Sequence, residues 1–528
     1  MKEPFVKVNI EDQTIGLSFD PVDTNLNILC PVDSPSGPKE LTRVTGPKML
    51  RNLYNSGKAI TSQSSTSLCY LRALVAHAPV YVKRAVIATT YGGRCLAASA
   101  EVDVDGVTGA IITPSVHAPV TEIPDINAEI ATGSNLGIII LSKFPCENDD
   151  IKIRIVKVDF LNSEFQSATI EVTLGSITEA WTFSIDDSVL DSYGNNIHYR
   201  NVTRDSRLIS IQLGPGTIEP EKLVVNDTFS IGSQAPNIIP GSDGAADEKV
   251  SPKSLATALE EVWEYEESEV FFDYISDAGM VDKSLATSIL GLCDKYHSFY
   301  PASCPTQITG TDTLTTARGG IGDAFSANFV GVTQYSSEID SGAIVLPGSF
   351  FYLIKRIDLA KSIQEFAAIY GESNGSIGIT KPIKSFKLSE RETLLDNQIL
   401  SMKRSESGYY LNSNLTCCKK DSFLSEDGIV LMINKISQVA DSYARSLIGS
   451  YNTEELRGNV TTRLGKMLNQ RLRVGSGYGP ESVRVICNLG NNEDVINQGK
   501  LRIDISAKFV KSIKEVIIYS QVKPLIEG

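Results

Sequence analysis

Apolar and polar positions change period several times along the chain, and the changes mark out its parts. Residues 1–20 alternate: Phe5, Val6, Val8 and Ile10, a polar turn, then Ile15, Leu17 and Phe19. This is strand material with no partner strand nearby in sequence. Asn25 to Val32 reads as a short strand that ends in a Pro/Ser/Gly/Pro loop, Pro31 to Pro38. From Gly46 to His77 the apolar residues Leu50, Leu53, Tyr54, Leu68, Leu71 and Leu74 recur at helical spacing. Val80-Tyr81-Val82 and Ala85-Val86-Ile87 follow as a buried strand.

Residues 100–235 have a different character. Short alternating runs rich in Thr, Val and Ile (Ile138–Leu141, Ile151–Val158, Thr169–Leu174, Trp181–Ile185, Leu208–Leu213) are separated by turns such as Tyr193-Gly194-Asn195-Asn196. That pattern predicts a β-rich inserted domain. Helical spacing returns at Ser254–Tyr265 and Lys283–Tyr296 around a strand at Val270–Ile275, which reads as an α/β layer. Gly- and Thr-rich loops are expected over Thr309–Gly331. Two long helices come later: one striped by Ile436, Val439, Ala440, Tyr443, Leu447 and Ile448, the other by Leu456, Val460, Leu464, Leu468 and Leu472. The second is expected to be capped by Asn452, with Glu455 three residues on. Strands centred on Val483–Leu489, Leu501–Phe509 and Val516–Tyr519 close the chain.

The expected fold class is therefore a multidomain α/β and α+β protein. An α/β core is assembled from N- and C-terminal parts around a β-rich insertion, with extended strand arms at both termini. The expected spans are an N-terminal arm at 1–20, core at 21–99, insertion at 100–238, an α/β domain at 239–345, core at 346–502 and a C-terminal arm at 503–528. A length of 528 residues agrees with several domains, since single cores stop growing at roughly 250–300 residues.

Charge sharpens this picture. The chain carries 63 acidic and 49 basic side chains, a net charge of −14, which argues against a general nucleic-acid binder. The charge is unevenly placed: twelve acids and two bases lie between Asp243 and Asp282, and fourteen bases and nine acids lie from Lys435 onward. One copy's acidic segment meeting another copy's basic segment is the arrangement a self-assembling protein needs. No run approaches the ~18 apolar residues of a membrane-spanning helix, and no secretion signal is expected. Nine scattered cysteines point to a reducing compartment, with the adjacent Cys417 and Cys418 as plain thiols.

Motifs for chemistry are weak. Gly465-Lys466 lacks the upstream glycine of a phosphate-binding loop, and Gly475, Gly477 and Gly479 follow a helix rather than a strand. Glu101-x-Asp103-x-Asp105-Gly106 begins like a calcium loop, but Ile112 stands where a bidentate Glu is required. Four histidines (77, 117, 198, 297), none spaced i,i+4 from another, offer little for a metal site or a triad. No catalytic residue, metal ligand or cofactor is expected; function is expected to reside in surfaces.

The order of segments resembles the contractile tail sheath proteins of bacteriophages and related injection systems. The C-terminal end carries the clearest likeness: two helices, a loop, Val483-Arg484-Val485-Ile486-Cys487-Asn488, then Asn491-Asn492, Val495-Ile496-Asn497-Gln498-Gly499, and Leu501 to Ile505. Gly37-Pro38, Val44-Thr45, Val80–Arg84, Ile239–Gly244, Gly342–Ser349 and Phe366–Gly371 follow the family's order as well. The family's usual Ser-Pro-Gly-Val-Tyr start is missing.

The resemblance implies a structural subunit that polymerises helically around a tail tube and contracts to drive the tube through a host envelope. Terminal arms would add strands to neighbouring subunits. The residues proposed for those arms are Phe5, Val6, Val8, Ile10, Ile503, Ile505, Phe509, Val516, Ile517, Ile518 and Tyr519. Arg457, Arg463, Lys466, Arg471 and Arg473 are candidates for contact with the tube or another subunit. Implied partners are further copies of the chain, the tail tube protein, and the baseplate and tail-terminator proteins, with no nucleic acid and no membrane insertion. The implied place is a virion tail assembled in the host cytoplasm. A phage-tail-like bacterial injection machine, or an acidic multidomain enzyme with a pocket in the α/β region, are the alternatives.

Overall fold

A computed structural model describes residues 26–85, 93–98, 136–142, 151–213, 225–230, 238–239 and 251–511, apart from short stretches inside these spans. The first part runs β1 (Ile28–Val32), β2 (Thr42–Val44), α1 (Pro47–Tyr54), α2 (Thr66–Val75) and β3 (Val80–Arg84). Central β1 lies parallel to β3 on one side, with Leu29 opposite Tyr81. On its other side it lies parallel to β12 (Tyr274–Ile275), with Ile28 opposite Tyr274. Strand β2 closes one edge, antiparallel to β3.

The ladder continues beyond β12. Phe299 bridges Tyr274 in parallel, and β13 (Tyr300–Ala302) then pairs in parallel with β14 (Ala327–Phe329). Leu400 bridges Val330. Strand addition therefore joins residues 28–84, the middle of the chain and residue 400 in one mostly parallel layer.

Alternate residues of this layer enter two different cores. Ile28, Cys30, Val32, Val80, Val82, Tyr274 and Phe299 face one cluster; Leu29, Tyr81, Ile275, Tyr300 and Phe329 face the other. A sheet buried on both faces needs near-continuous apolar strands, and Ile28-Leu29-Cys30-Pro31-Val32 supplies one. The first face is covered by α1, α2, α7 (Gly348–Ala360), α9 (Asp427–Leu447) and α10 (Glu454–Arg471). The second is covered by α4 (Pro252–Glu264), α5 (Lys283–Tyr296), α6 (Thr311–Gly319) and α8 (Leu388–Asp396). Helix α7 reaches the sheet through Gly348, where a Cβ would lie 2.5 Å from a Val330 methyl.

The insertion builds its own core. One sheet has the order β10 (Thr228–Ser230), β6 (Lys152–Leu161), β7 (Glu164–Leu174), β8 (Ile177–Phe183). The other has the order β11 (Ile238–Ile239), β4 (Gly93–Ala98), β5 (Leu136–Ser142), β9 (Ile209–Leu213). Ile140, Ile153, Ile170, Phe183 and Ile211 meet between them, together with Val202 of α3 (Tyr199–Asp205). Gly93–Ala98, expected in the N-terminal part of the core, is instead the insertion's entry strand. It pairs with the exit strand, Ile238 opposite Arg94.

Three further expectations shift. Thr309–Gly331 is not all loop: α6 and β14 form within it, because Leu314 and Phe329 are fully buried and supply what the weak helical and strand propensities lack. The strand expected at Val270–Ile275 is regular only over Tyr274–Ile275. Helix α10 is capped by Thr453, whose hydroxyl accepts from the Leu456 amide, while the Asn452 amide turns away to the Lys500 carbonyl.

The helical layer on the first face is clamped by a buried ion pair. Arg356 of α7 and Asp427 at the start of α9 lie 2.7 Å apart, both side chains fully shielded from solvent. Tyr352 accepts from Arg356 Nε at 2.9 Å and donates to Asp427 at 2.6 Å, and the Ala367 carbonyl takes another guanidinium proton at 2.8 Å. Removing one member leaves the other charge buried alone, which costs about 3–5 kcal/mol. Asp427→Asn in a Trp181→Phe background, followed by Trp263 fluorescence in urea, reads this cost in the α/β core; a loss below about 1 kcal/mol, the range of exposed pairs, contradicts it.

Candidate assembly surfaces

The C-terminal unit starts from α9, whose polar residues lock onto the sheet. Lys435 pairs with Asp273, and Asp273 also accepts from the Asn27 amide at 2.9 Å. Gln438 donates to the carbonyls of Phe272 and His297, each at 2.9 Å, and Asn434 to that of Ser298 at 3.0 Å. One helix face thus gathers the N-terminal part, the β12 segment and the β13 segment.

Helix α10 packs back through Val460, Leu464, Leu468 and Leu472. Behind it lies a hairpin of β19 (Ser482–Ile486) and β20 (Asp504–Lys508), antiparallel with Val485 opposite Ile505. Gly475 and Gly477, in the left-handed region, turn the chain from α10 into β19; no helix follows them to present amides to a phosphate. Asn491 pins the hairpin's far end by donating to the Cys487 and Arg502 carbonyls and accepting from the Arg502 amide. The Cys487 and Asn491 positions that carried the family resemblance therefore shape this turn. No other described strand pairs with β19 or β20, so each presents an outer edge.

Ile503, Ile505 and Phe509, expected in an arm, pack against the chain's own core. The stretch 504–508 is a hairpin strand in this chain, which moves the start of any free arm beyond it. Phe5, Val6, Val8, Ile10, Val516, Ile517, Ile518 and Tyr519 lie outside the described residues, as does the Glu101–Gly106 loop.

The basic candidates separate into three. Arg457 donates to Asn452 Oδ1 at 2.9 Å and holds the α9–α10 turn. Arg471 and Arg473 lie toward Glu365, where they and Lys435 oppose the upward push of burial on its carboxyl. Arg463 and Lys466 project from the exposed face of α10. Beside the turn, Ile448 and Tyr451 are 79% and 88% exposed.

The acidic run is not one solvated face. Asp273 is in the Lys435 pair, Glu261 meets the buried Lys83 at 3.5 Å, Asp282 caps α5, and Asp277 is buried. Asp277 sits at the carboxyl edge of the parallel sheet, where α/β enzymes place their chemistry. It accepts from Tyr300 Oη, the Ser303 amide, Ser303 Oγ and the Gly279 amide at 2.8, 2.8, 2.5 and 3.0 Å. Ser303 Oγ also meets Ser349 Oγ at 2.7 Å and is sealed from solvent, so the cluster ties strand ends together rather than offering a nucleophile. His77 binds Glu338, His297 ends α5 and His198 precedes α3, so these three remain apart. Among the described residues no group of three or more His, Cys, Asp or Glu is placed to hold a metal, and no helix is long and apolar enough to cross a membrane. The described cysteines, Cys417 and Cys418 included, are buried free thiols.

Sequence reading missed the Arg356–Asp427 and Lys435–Asp273 pairs. The available signal was Arg356, four residues after Tyr352 and so on the same face, in the helix pattern GSFFYLIKRIDLA, whose other charged residues Lys355 and Asp358 are less buried.

Burial pushes the Asp277 carboxyl up from 3.8, and its donors offset only part of this. The folded state therefore holds the proton more tightly than the unfolded chain. The contribution of this group to stability is greatest at low pH and is lost as pH rises from about 4 through the folded pKa. Urea midpoints measured across that window should fall less steeply for Asp277→Asn; parallel profiles contradict the assignment.

No protein-family model matches the sequence, and no curated protein does. Among solved structures, the sheath tail protein of Listeria innocua superposes with a TM-score of 0.52 at 11% identity, over 92% of this chain and 95% of that one. The sheath tail protein of Desulfitobacterium hafniense gives a TM-score of 0.45 at 10% identity, over 96% and 100%. The sheath of an extracellular contractile injection system in its contracted state gives 0.41 at 13% identity, over 50% and 74%. At these identities the likeness is one of fold, and the Listeria superposition carries it. Along nearly its whole length, this chain has the fold of a sheath tail protein.

Proposed function

We propose that this chain is the structural subunit of a contractile tail sheath: it polymerises helically around a tail tube and contracts to drive the tube forward. The observation that carries the reading is the near end-to-end fold likeness to a sheath tail protein. The β19–β20 hairpin supports it, because two outer edges accept strands from neighbouring copies. A contact of that kind is heterologous and, where its rotation does not close, generates an open helix of subunits. The donors are the alternating segments at 1–20 and 512–528, and seventeen residues extended span about 56 Å at 3.3 Å each. Arg463 and Lys466 face the tube or the next copy. Further partners are the tail tube, baseplate and tail-terminator proteins, the place is a virion tail, and the role is not enzymatic. The same physics serves a phage-tail-like injection machine.

Contraction requires rigid subunits on flexible tethers. A change in subunit contact worth about 5.5 kcal/mol per copy reverses a 1:99 balance between two arrangements. The layered core, clamped by the buried Arg356–Asp427 pair and the partly buried Lys435–Asp273 pair, supplies the rigid body; strand-paired arms supply the tether.

Negative-stain microscopy of the purified chain should show long striated tubes; discrete particles under all assembly conditions contradict the reading. Deleting residues 512–528 removes the tether but leaves β20 in place, so tubes should vanish while the melting temperature stays within a few degrees of the parent. Tubes of normal length from the truncated chain rule out the C-terminal arm. Arg463→Glu combined with Lys466→Glu should shorten or abolish tubes, or detach the sheath from its tube; normal sheathed tails from that variant exclude the patch.

A further inference from the structure

Beside the β17 (Met402–Ser405) and β18 (Gly408–Leu411) hairpin lies a cavity of about 180 Å³. Lys384, Arg391 and Arg404 line it, Tyr409 forms one side, and the buried Phe386 and Met402 add apolar surface. Arg391 is anchored by its bond to the Phe386 carbonyl at 3.2 Å, and no ion pair joins any of the three cations to a described carboxylate. Like charges gathered in a concave wall repel one another and focus a positive potential outward. In an isolated chain this arrangement costs stability; an acidic occupant reverses the sign.

The complementary liability sits at the end of α4. A helix C-terminus carries partial negative charge and favours cations. The last turn of α4 has no basic residue, and it ends in Glu264 and Tyr265, both exposed, with Tyr265 at 63%. The sequence continues Glu266-Glu267-Ser268-Glu269, which places four carboxylates in the six positions 264–269. Of these, Glu264 is described, and it is exposed and in no described ion pair. No described contact joins Glu264 to the cavity within one chain.

We infer that the Lys384/Arg391/Arg404 cavity is a socket for the acidic end of α4 from a second copy of this chain. The inference rests on the self-assembly reading and names one of its contacts. Acid meets the three cations, while Tyr265 is the aromatic anchor against Tyr409 and Met402, the residue class that dominates interface energies. Socket and plug are different patches of the chain, so the contact is head-to-tail and, where its rotation does not close, repeats along a helical row.

The direct test titrates the full chain with a fluorescein-labelled peptide of residues 262–271 and follows anisotropy. Binding should weaken with salt, fall at least about tenfold for Lys384→Glu/Arg404→Glu, and resist millimolar inorganic phosphate. Equal binding by parent and variant overturns the socket, and displacement by phosphate reassigns it as a site for small anions. Assembly gives the second arm. Reversing the socket (Lys384→Glu/Arg404→Glu) or the plug (Glu264→Lys/Glu267→Lys) should suppress tubes, and combining both reversals in one chain should restore them. If the parent forms tubes and both single-set variants match it, the socket is wrong while the sheath reading stands. If the parent never forms tubes, the sheath reading fails, and the peptide titration still decides the socket.

Discussion

Helix α9 ties the α/β core together through two charged side chains, Asp427 fully buried and Lys435 largely shielded, that are satisfied by other stretches of the chain. Asp427 at its start must meet Arg356, and Lys435 two turns on must meet Asp273. Each partner comes from a different stretch of the chain: the first pair needs α7 and α9 in place, and the second needs α9 and the β12 segment. Close approach is built in: a Cβ at Gly428 would lie 2.6 Å from the Phe366 carbonyl. Buried pairs contribute little net stability over apolar substitutes. They do penalise any shifted packing, which would strand a charge. In the proposed sheath role, where a subunit would transmit force as one body, uniqueness of packing matters more than the last few kcal/mol.

The division between rigid and extendable parts follows from where apolar residues can be buried. The parallel sheet sends alternate side chains into two cores, and the insertion encloses a third. The β19–β20 hairpin has one face on α10 and, with only two strands, cannot satisfy its own edges. A monomer would leave such edges as a liability. In the proposed polymer, neighbouring copies would use them. The exposed Ile448 and Tyr451 are unfavourable in the same way in a single chain.

Periodicity revealed much of this fold. The helix at Lys283–Tyr296 has the expected bounds, and β5 to β9 overlap the alternating runs, whereas β4, β10 and β11 lie outside them. Legibility fails wherever tertiary burial outweighs local preference. α6 is a Thr-rich segment held helical by Leu314, and β12 is two residues long because its neighbours β1 and Phe299 define it. The charge asymmetry was legible as a sum, but not as a surface. Acids that looked like one face proved to be Asp273 in a pair, Asp277 in a buried cluster and Glu264 in solvent, and only three-dimensional placement separates them. The family likeness lay in the order of weak motifs such as Cys487 and Asn491, whose role in pinning a turn requires the hairpin to be seen.

Strand addition on the β19–β20 hairpin is the central claim, and hydrogen exchange read by mass spectrometry addresses it most directly. The soluble chain and its assembled form are compared peptide by peptide. The account predicts that amides of Ser482–Ile486 and Asp504–Lys508 become strongly protected on assembly, while those of Ile28–Val32 and Val80–Arg84, already in the sheet, do not change. Unchanged exchange across the hairpin in the assembled form would contradict it.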